Sequence, residues 1–217
     1  MDACVPAWSL EHRPCPNGVY VKVPLSTFTW PFEPSALDWV AAFYCTMPFN
    51  WFLLLVVLFC YRRGLREALL LFFYPFLAFA VILATQHLVH QPRPSGTCLT
   101  QCGMPSGHSL IALGLTTVIW CECAFSAGSL REAIGVALLL LPVPWAKVHL
   151  HDHYPAQAFA GGLMGVAIGL LYFAFVRVVV ASRSDAFSRR CCVVNNYPCE
   201  AHAASEAPPY KRFLEER

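Results

Sequence analysis

Three short stretches hold residues that could do chemistry on a phosphate. "QHLVHQPRPSG" (86–96) carries Gln86 and Arg93-Pro94, "PSGH" (105–108) carries Ser106, Gly107 and His108, and "AKVHLHDHYPAQ" (146–157) carries Lys147, His153 and Gln157. Arg93 and Lys147 are cations for phosphate oxygens, and an arginine fork can take two oxygens at once. The amides of Ser106, Gly107 and His108 stand where an apolar helix begins, and a helix N-terminus is an anion site. Gly107 lets the backbone come close to a ligand there. Ser106 is read as capping the helix and touching phosphate together. Histidine titrates near neutral pH, so one imidazole can attack phosphorus while another protonates the leaving oxygen. The expected chemistry is phosphoryl transfer through histidine.

The elements that must position these residues are membrane spans. Of the 217 residues 57% are hydrophobic and only 13% charged, with mean hydropathy +0.52. A soluble domain carries about a quarter charged residues. The expected fold is therefore all-α, a polytopic membrane bundle of about five transmembrane helices. The spans run from about Leu37 to Cys60, Ala68 to Leu88, Ser106 to Phe125, Leu130 to Val148 and Ala156 to Val180. Pro75, Pro142 and Pro144 should kink their helices. Gly161, Gly165 and Gly169 recur every four residues on one face of the last span, a small-xxx-small pattern for close helix contact. The expected organisation is an extramembrane segment over 1–35, a transmembrane core over 36–182 and a poorly ordered polar tail over 183–217. No secretory signal opens the sequence, so the first span must act as its own insertion signal. A net charge of +2 gives no ground for a nucleic-acid partner. The partners expected are the bilayer and a lipid phosphate; oligomeric state is unreadable.

Connection parity brings the three stretches to one rim. Span two exits on the side where span three enters, and spans three and four return to it. Arg62, Arg63, Arg66, Arg131, Arg177, Arg183, Arg189 and Arg190 flank the other side, which the positive-inside rule places in the cytosol. The N-terminus and the loops around 89–105 and 149–155 then face the lumen or exterior. Cys4, Cys15, Cys98 and Cys102 lie on that side, where disulfides can form, and Cys98 with Cys102 is one pairing open to them. Cys45, Cys60, Cys121 and Cys123 read as packing residues; Cys191 and Cys192 stand where palmitoylation is plausible.

The whole arrangement resembles the type-2 phosphatidic acid phosphatase superfamily, membrane lipid phosphatases that use no metal or other cofactor. The family pattern is Lys-x6-Arg-Pro, Pro-Ser-Gly-His and Ser-Arg-x5-His-x3-Asp, matched between Gln86 and Gln157. The resemblance implies that His153 is the nucleophile and forms a phosphohistidine, that His108 is the general acid and that Arg93 binds phosphate, with Lys147, Ser106, Gly107 and Gln86 as further phosphate contacts. Four positions depart from the pattern: Gln86 for Lys, Ala146-Lys147 for Ser-Arg, and Gln157 for Asp. Gln157 can still support His153, because its carbonyl can accept a ring N–H. "HQPRP" (90–94), "GMPSGH" (103–108) and His-x3-Gln are similar to the dolichyl-diphosphatase branch, which implies a lumenal site in the endoplasmic reticulum. Phosphatidate-type and sphingoid-phosphate substrates stay open.

Three rival readings stand beside this one. His87, His90, His149, His151, Asp152 and His153 could be ligands of a metal-dependent lipid-modifying enzyme, although "HLVH" and "HLHDH" fit hydroxylase boxes poorly. The four departures would suit a weak or inactive relative with a structural or lipid-binding role. A transferase would use the same phosphoenzyme with another acceptor. Asp152 reads as a solvated loop residue, and Trp145 and Tyr154 as interface anchors.

Overall fold

The computed structural model describes residues 4–23, 26–50, 56–57, 65–125 and 130–195, with side chains at 49–50, 65–70 and 177–195 excepted. A one-turn helix α1 (Ala7–Leu10) leads into a hairpin of β1 (Gly18–Val23) and β2 (Ser26–Pro31). The helices follow as α2 (Ala36–Asn50), α3 (Leu65–Val89), α4 (Gly107–Phe125), α5 (Leu130–Leu140), α6 (Val143–His149) and α7 (Pro155–Asn195).

Four helical stretches among the described residues are long and apolar enough to cross a membrane: Leu71–Val89, Gly107–Phe125, Leu130–His149 and Pro155–Val176. They match spans two to five of the sequence reading. Of the first expected span, α2 accounts for the opening stretch from Leu37 to Asn50, and most of the remainder, including Cys60, lies outside the described residues. The molecule is apolar on the outside, as a bilayer requires: Phe79, Leu138, Phe159 and Leu171 are exposed, while Ser106, Lys147, Asp152 and Gln157 are fully buried.

The prolines behave differently from one another. α3 runs unbroken through Pro75. The fourth span breaks into α5 and α6 at Leu141-Pro142, and Pro142 O accepts the Ala146 amide to start the new helix. α7 continues helical to Asn195, past the span end expected near Val180. Residues 196–217 of the expected tail lie outside the described residues.

α4 and α7 form the closest pair. Any side chain at Gly161, Gly165 or Gly169 would meet the backbone of Ser106, Leu110 or Gly114 in turn, so the stripe lets the two helices touch backbone to backbone. Around this pair Met47, Leu71, Tyr74, Leu110, Ile111, Leu115, Ile119 and Leu140 close the core.

The hairpin was not expected. Its strands pair antiparallel, Gly18 opposite Pro31 and Val23 opposite Ser26. "GVYVKV" and "STFTWP" are rich in β-branched and aromatic residues, which favour a pleated, half-buried surface. Two disulfides, Cys4–Cys102 and Cys15–Cys98, fasten this N-terminal region to the loop after α3. Cys98 and Cys102 therefore do not pair with each other; each finds a partner far away in sequence. Cys45 is a buried free thiol and Cys121 a partly buried one, and Cys123 is partly buried and outside the disulfides.

Candidate active site

His153 stands on a turn that α6 and α7 build between them. α6 ends at His149, and His151 takes a left-handed backbone, φ 56°. The amides of Asp152 and His153 then both bond back to Lys147 O, at 3.0 and 3.2 Å. Pro155 opens α7, where its missing N–H costs nothing, and four residues after His153 comes Gln157. Both side chains are buried.

The Gln157 amide decides which nitrogen of His153 is free. Its Nε2 donates to Pro92 O at 2.8 Å and to Gln91 Oε1 at 3.3 Å. Its Oε1 accepts the Tyr154 amide at 3.2 Å and lies 3.3 Å from His153 Nδ1. A backbone carbonyl can only accept and a backbone N–H can only donate, so Pro92 and Tyr154 fix the amide's orientation. His153 Nδ1 must then carry the proton, and the lone pair of the neutral ring lies on Nε2.

Nε2 faces Arg93. α3 ends at Val89, His90 turns the chain with φ 47°, and Gly103 N donates to Gln91 O at 2.8 Å. Arg93 reaches across this loop. Its Nε donates to Gln101 O at 2.9 Å, and Nη1 donates to Asp152 O and His153 Nε2, both at 2.8 Å. Burial lowers the guanidinium pKa to about 10, against the pull of Asp152; it stays charged at neutral pH. His153 is driven well below the usual histidine range, first by burial and then by Arg93 and Lys147. The ring is therefore neutral at pH 7, with its lone-pair nitrogen 2.8 Å from a fixed cation.

Lys147 does not present a free ammonium. It is buried, paired with Asp152 Oδ2 at 3.1 Å and bonded to Thr27 O at 2.6 Å. Asp152 in turn accepts the Thr29 amide at 2.9 Å. Asp152 is thus a buried anchor rather than a solvated loop residue. An ammonium in this environment needs an anion and carbonyl oxygens, and the turn and β2 supply both.

At the start of α4, the Ser106 amide donates to Gln157 O at 3.1 Å, and Ser106 O accepts the Leu110 amide. That amide, expected to face an anion, is committed to the backbone of α7. Ser109 Oγ donates to Ser106 Oγ at 3.0 Å. A side chain at Gly107 would meet Ile82, so its missing Cβ serves packing against α3. Gln86 Nε2 approaches Pro105 O at 3.4 Å, one residue before Ser106. His108 Nε2 lies 3.0 Å from Ser26 Oγ of β2, and the ring is within electrostatic reach of Lys147, His153 and Arg93.

His149, His90 and His151 go elsewhere. His149 stacks on Trp145, with centroids 5.2 Å apart, and its Nε2 lies 3.0 Å from Asp38 Oδ1. His90 and His151 take left-handed backbone, as His12 also does. Among the described residues no three His, Cys, Asp or Glu side chains gather as a ligand set. Sequence reading missed Ser26, Thr27, Thr29 and Gln91. Strand-like alternation over 18–31 could have revealed the hairpin, but nothing local says that β2 docks here.

The backbone that holds these residues has known counterparts. It matches the crystal structure of the first transmembrane PAP2 type phosphatidylglycerolphosphate phosphatase from Bacillus subtilis with TM-score 0.57 and 18% identity, covering 68% of this chain and 80% of that one. The fold is that of a PAP2-type membrane phosphatase. The crystal structure of Aquifex aeolicus LpxE also matches, with TM-score 0.56 and 18% identity, over 66% of this chain and 88% of that one. The family model of the PAP2 superfamily matches residues 84–180, which take in Gln86 through Gln157. The hairpin falls outside that PAP2 match. No curated protein matches the sequence.

Proposed function

We propose that the chain is an integral membrane lipid phosphatase or diphosphatase working through a phosphohistidine on His153. The observation that carries the reading is the state of His153. It is neutral and buried, its Nδ1 proton is held by Gln157, and its Nε2 lone pair shares a site with Arg93. Gln157 thereby does the orienting work of the Asp it replaces, without the negative charge.

The reaction follows from these groups. A phosphoryl group enters beside Arg93, whose Nη1 turns from His153 Nε2 to a phosphoryl oxygen. Nε2 attacks and forms the P–N bond; the P–O bond to the leaving group breaks, and His108 gives that oxygen its proton. Water then attacks phosphorus, His108 takes the water's proton, and the P–N bond breaks to return His153 and release phosphate. Lys147 acts through Asp152 and β2, which hold the turn bearing His153, and Ser106, Gly107 and Gln86 shape the rim around the phosphate.

The two disulfides support placing this face in an oxidising lumen or exterior. With arginine-rich connections on the other side, the C-terminus is then cytosolic. The dolichyl-diphosphatase resemblance of the motifs favours a lipid diphosphate in the endoplasmic reticulum as the first substrate to try.

The test is phosphate release by the purified full chain in detergent containing EDTA. Dolichyl diphosphate, phosphatidate and a sphingoid phosphate would be offered beside His153→Ala and His108→Ala. Release should survive EDTA and fall at least about 10²-fold in both variants. Loss of activity in EDTA would instead restore a metal mechanism, and wild-type rates in His153→Ala would remove the phosphohistidine.

A further inference from the structure

Ser26 is the first residue of β2 and is buried. Its hydroxyl makes two contacts. Oγ donates to Cys45 O in α2 at 2.8 Å, and it lies 3.0 Å from His108 Nε2. A backbone carbonyl cannot donate, so the serine's one proton is spent on Cys45. The oxygen is left as acceptor, and His108 Nε2 is the donor. A hydroxyl polarised by donating to a carbonyl accepts more strongly. This chain of bonds runs from α2 through β2 to the histidine at the start of α4.

We infer that Ser26 is a positioning residue for His108, its oxygen accepting from Nε2–H and so fixing the ring that exchanges the proton with the leaving oxygen and then with water. The inference rests on His108 being the general acid. The acceptor stays matched to Nε2–H in both protonation states of the ring, so His108 can give up and regain its proton without turning. The hairpin thereby becomes part of the catalytic apparatus, although it lies outside the stretch that matches the PAP2 superfamily.

Leaving-group dependence tests this, because a nitrophenolate departs without a proton and an alkoxide does not. The purified full chain, disulfides intact, is assayed for kcat/KM on 4-nitrophenyl phosphate and on octyl phosphate. The variants are Ser26→Ala, Ser26→Thr, His108→Ala and the double variant Ser26→Ala/His108→Ala. Ser26→Ala should lose about 10- to 100-fold on octyl phosphate, within the range of general acid catalysis, and under about threefold on the aryl ester. Ser26→Thr, which keeps the hydroxyl, should restore most of the loss. Ser26→Ala should add nothing in the His108→Ala background.

Equal losses on both substrates, no loss on either, or a full additional loss in the double variant would each overturn the inference. If His108→Ala itself keeps wild-type rates, the general-acid assignment falls and this inference falls with it. A loss in His108→Ala but none in Ser26→Ala removes the inference alone.

Discussion

The α4–α7 pair and the N-terminal hairpin both reach the site, and they are held by opposite means. The helix pair carries His108 and Gln157 and is joined by close backbone packing along Gly161, Gly165 and Gly169. It needs only small residues and shape. The hairpin carries Ser26, Thr27 and Thr29, and its attachment is polar and covalent. A buried Lys147–Asp152 pair receives it, and disulfides fasten the N-terminal region to the loop bearing Arg93. The difference teaches where each half is vulnerable. Added volume should damage the helix pair, whereas lost charge should release the hairpin.

Asp152→Ala should have the largest effect on stability. It strands the Lys147 ammonium in a buried site and removes the acceptor of the Thr29 amide. Breaking a buried pair on one side costs about 3–5 kcal/mol. The expected outcome is a marked fall in thermal stability in detergent, with faster hydrogen exchange concentrated in β2. Unchanged exchange in β2 would mean the ion pair does not hold the hairpin.

Gly165→Ala should act on the other half alone. Its methyl would press on the backbone of Leu110, and overpacking of this kind costs about 1–3 kcal/mol. Thermal unfolding should shift down while β2 exchange stays as in the parent. Loosening of both regions together would show that the two halves are one cooperative unit.

The smallest expected effect is that of pH on His153. Its folded pKa lies well below the usual value of about 6.5. An unfolded histidine takes up a proton near pH 6.5 that the folded one refuses. Its contribution to stability is therefore complete above that pH and is lost as pH falls toward the folded value. The acid limb of kcat/KM should likewise lie below pH 6.5. A limb at or above 6.5 would mean that Arg93 and burial do not keep the ring neutral.

Much of the helical half was legible in the sequence. Apolar length gave the places of spans two to five, with ends off by a few residues, and connection parity put Arg93, His108, Lys147 and His153 at one end. The glycine stripe also read correctly, because a four-residue repeat on a helix has one geometric meaning. Lys147 and Asp152 could not be read in the same way. Five residues apart, they look like a phosphate cation and a loop acid. Only the arrival of β2, from 120 residues away, makes them partners. Ser26 is illegible for the same reason: a serine near a strand start says nothing about which histidine it will meet. Cys98 and Cys102 invited a local pairing that the hairpin's position overrides.

The disulfides are nested: the ring closed by Cys4–Cys102 encloses the one closed by Cys15–Cys98. A protease cut anywhere between residues 15 and 98 therefore leaves both fragments on one covalent frame. On a gel without reductant the nicked protein keeps its full mass, and with reductant it falls into two pieces. Loop insertions and cleavage within that ring can thus be tolerated without separating the half that carries Ser26 from the half that carries His108.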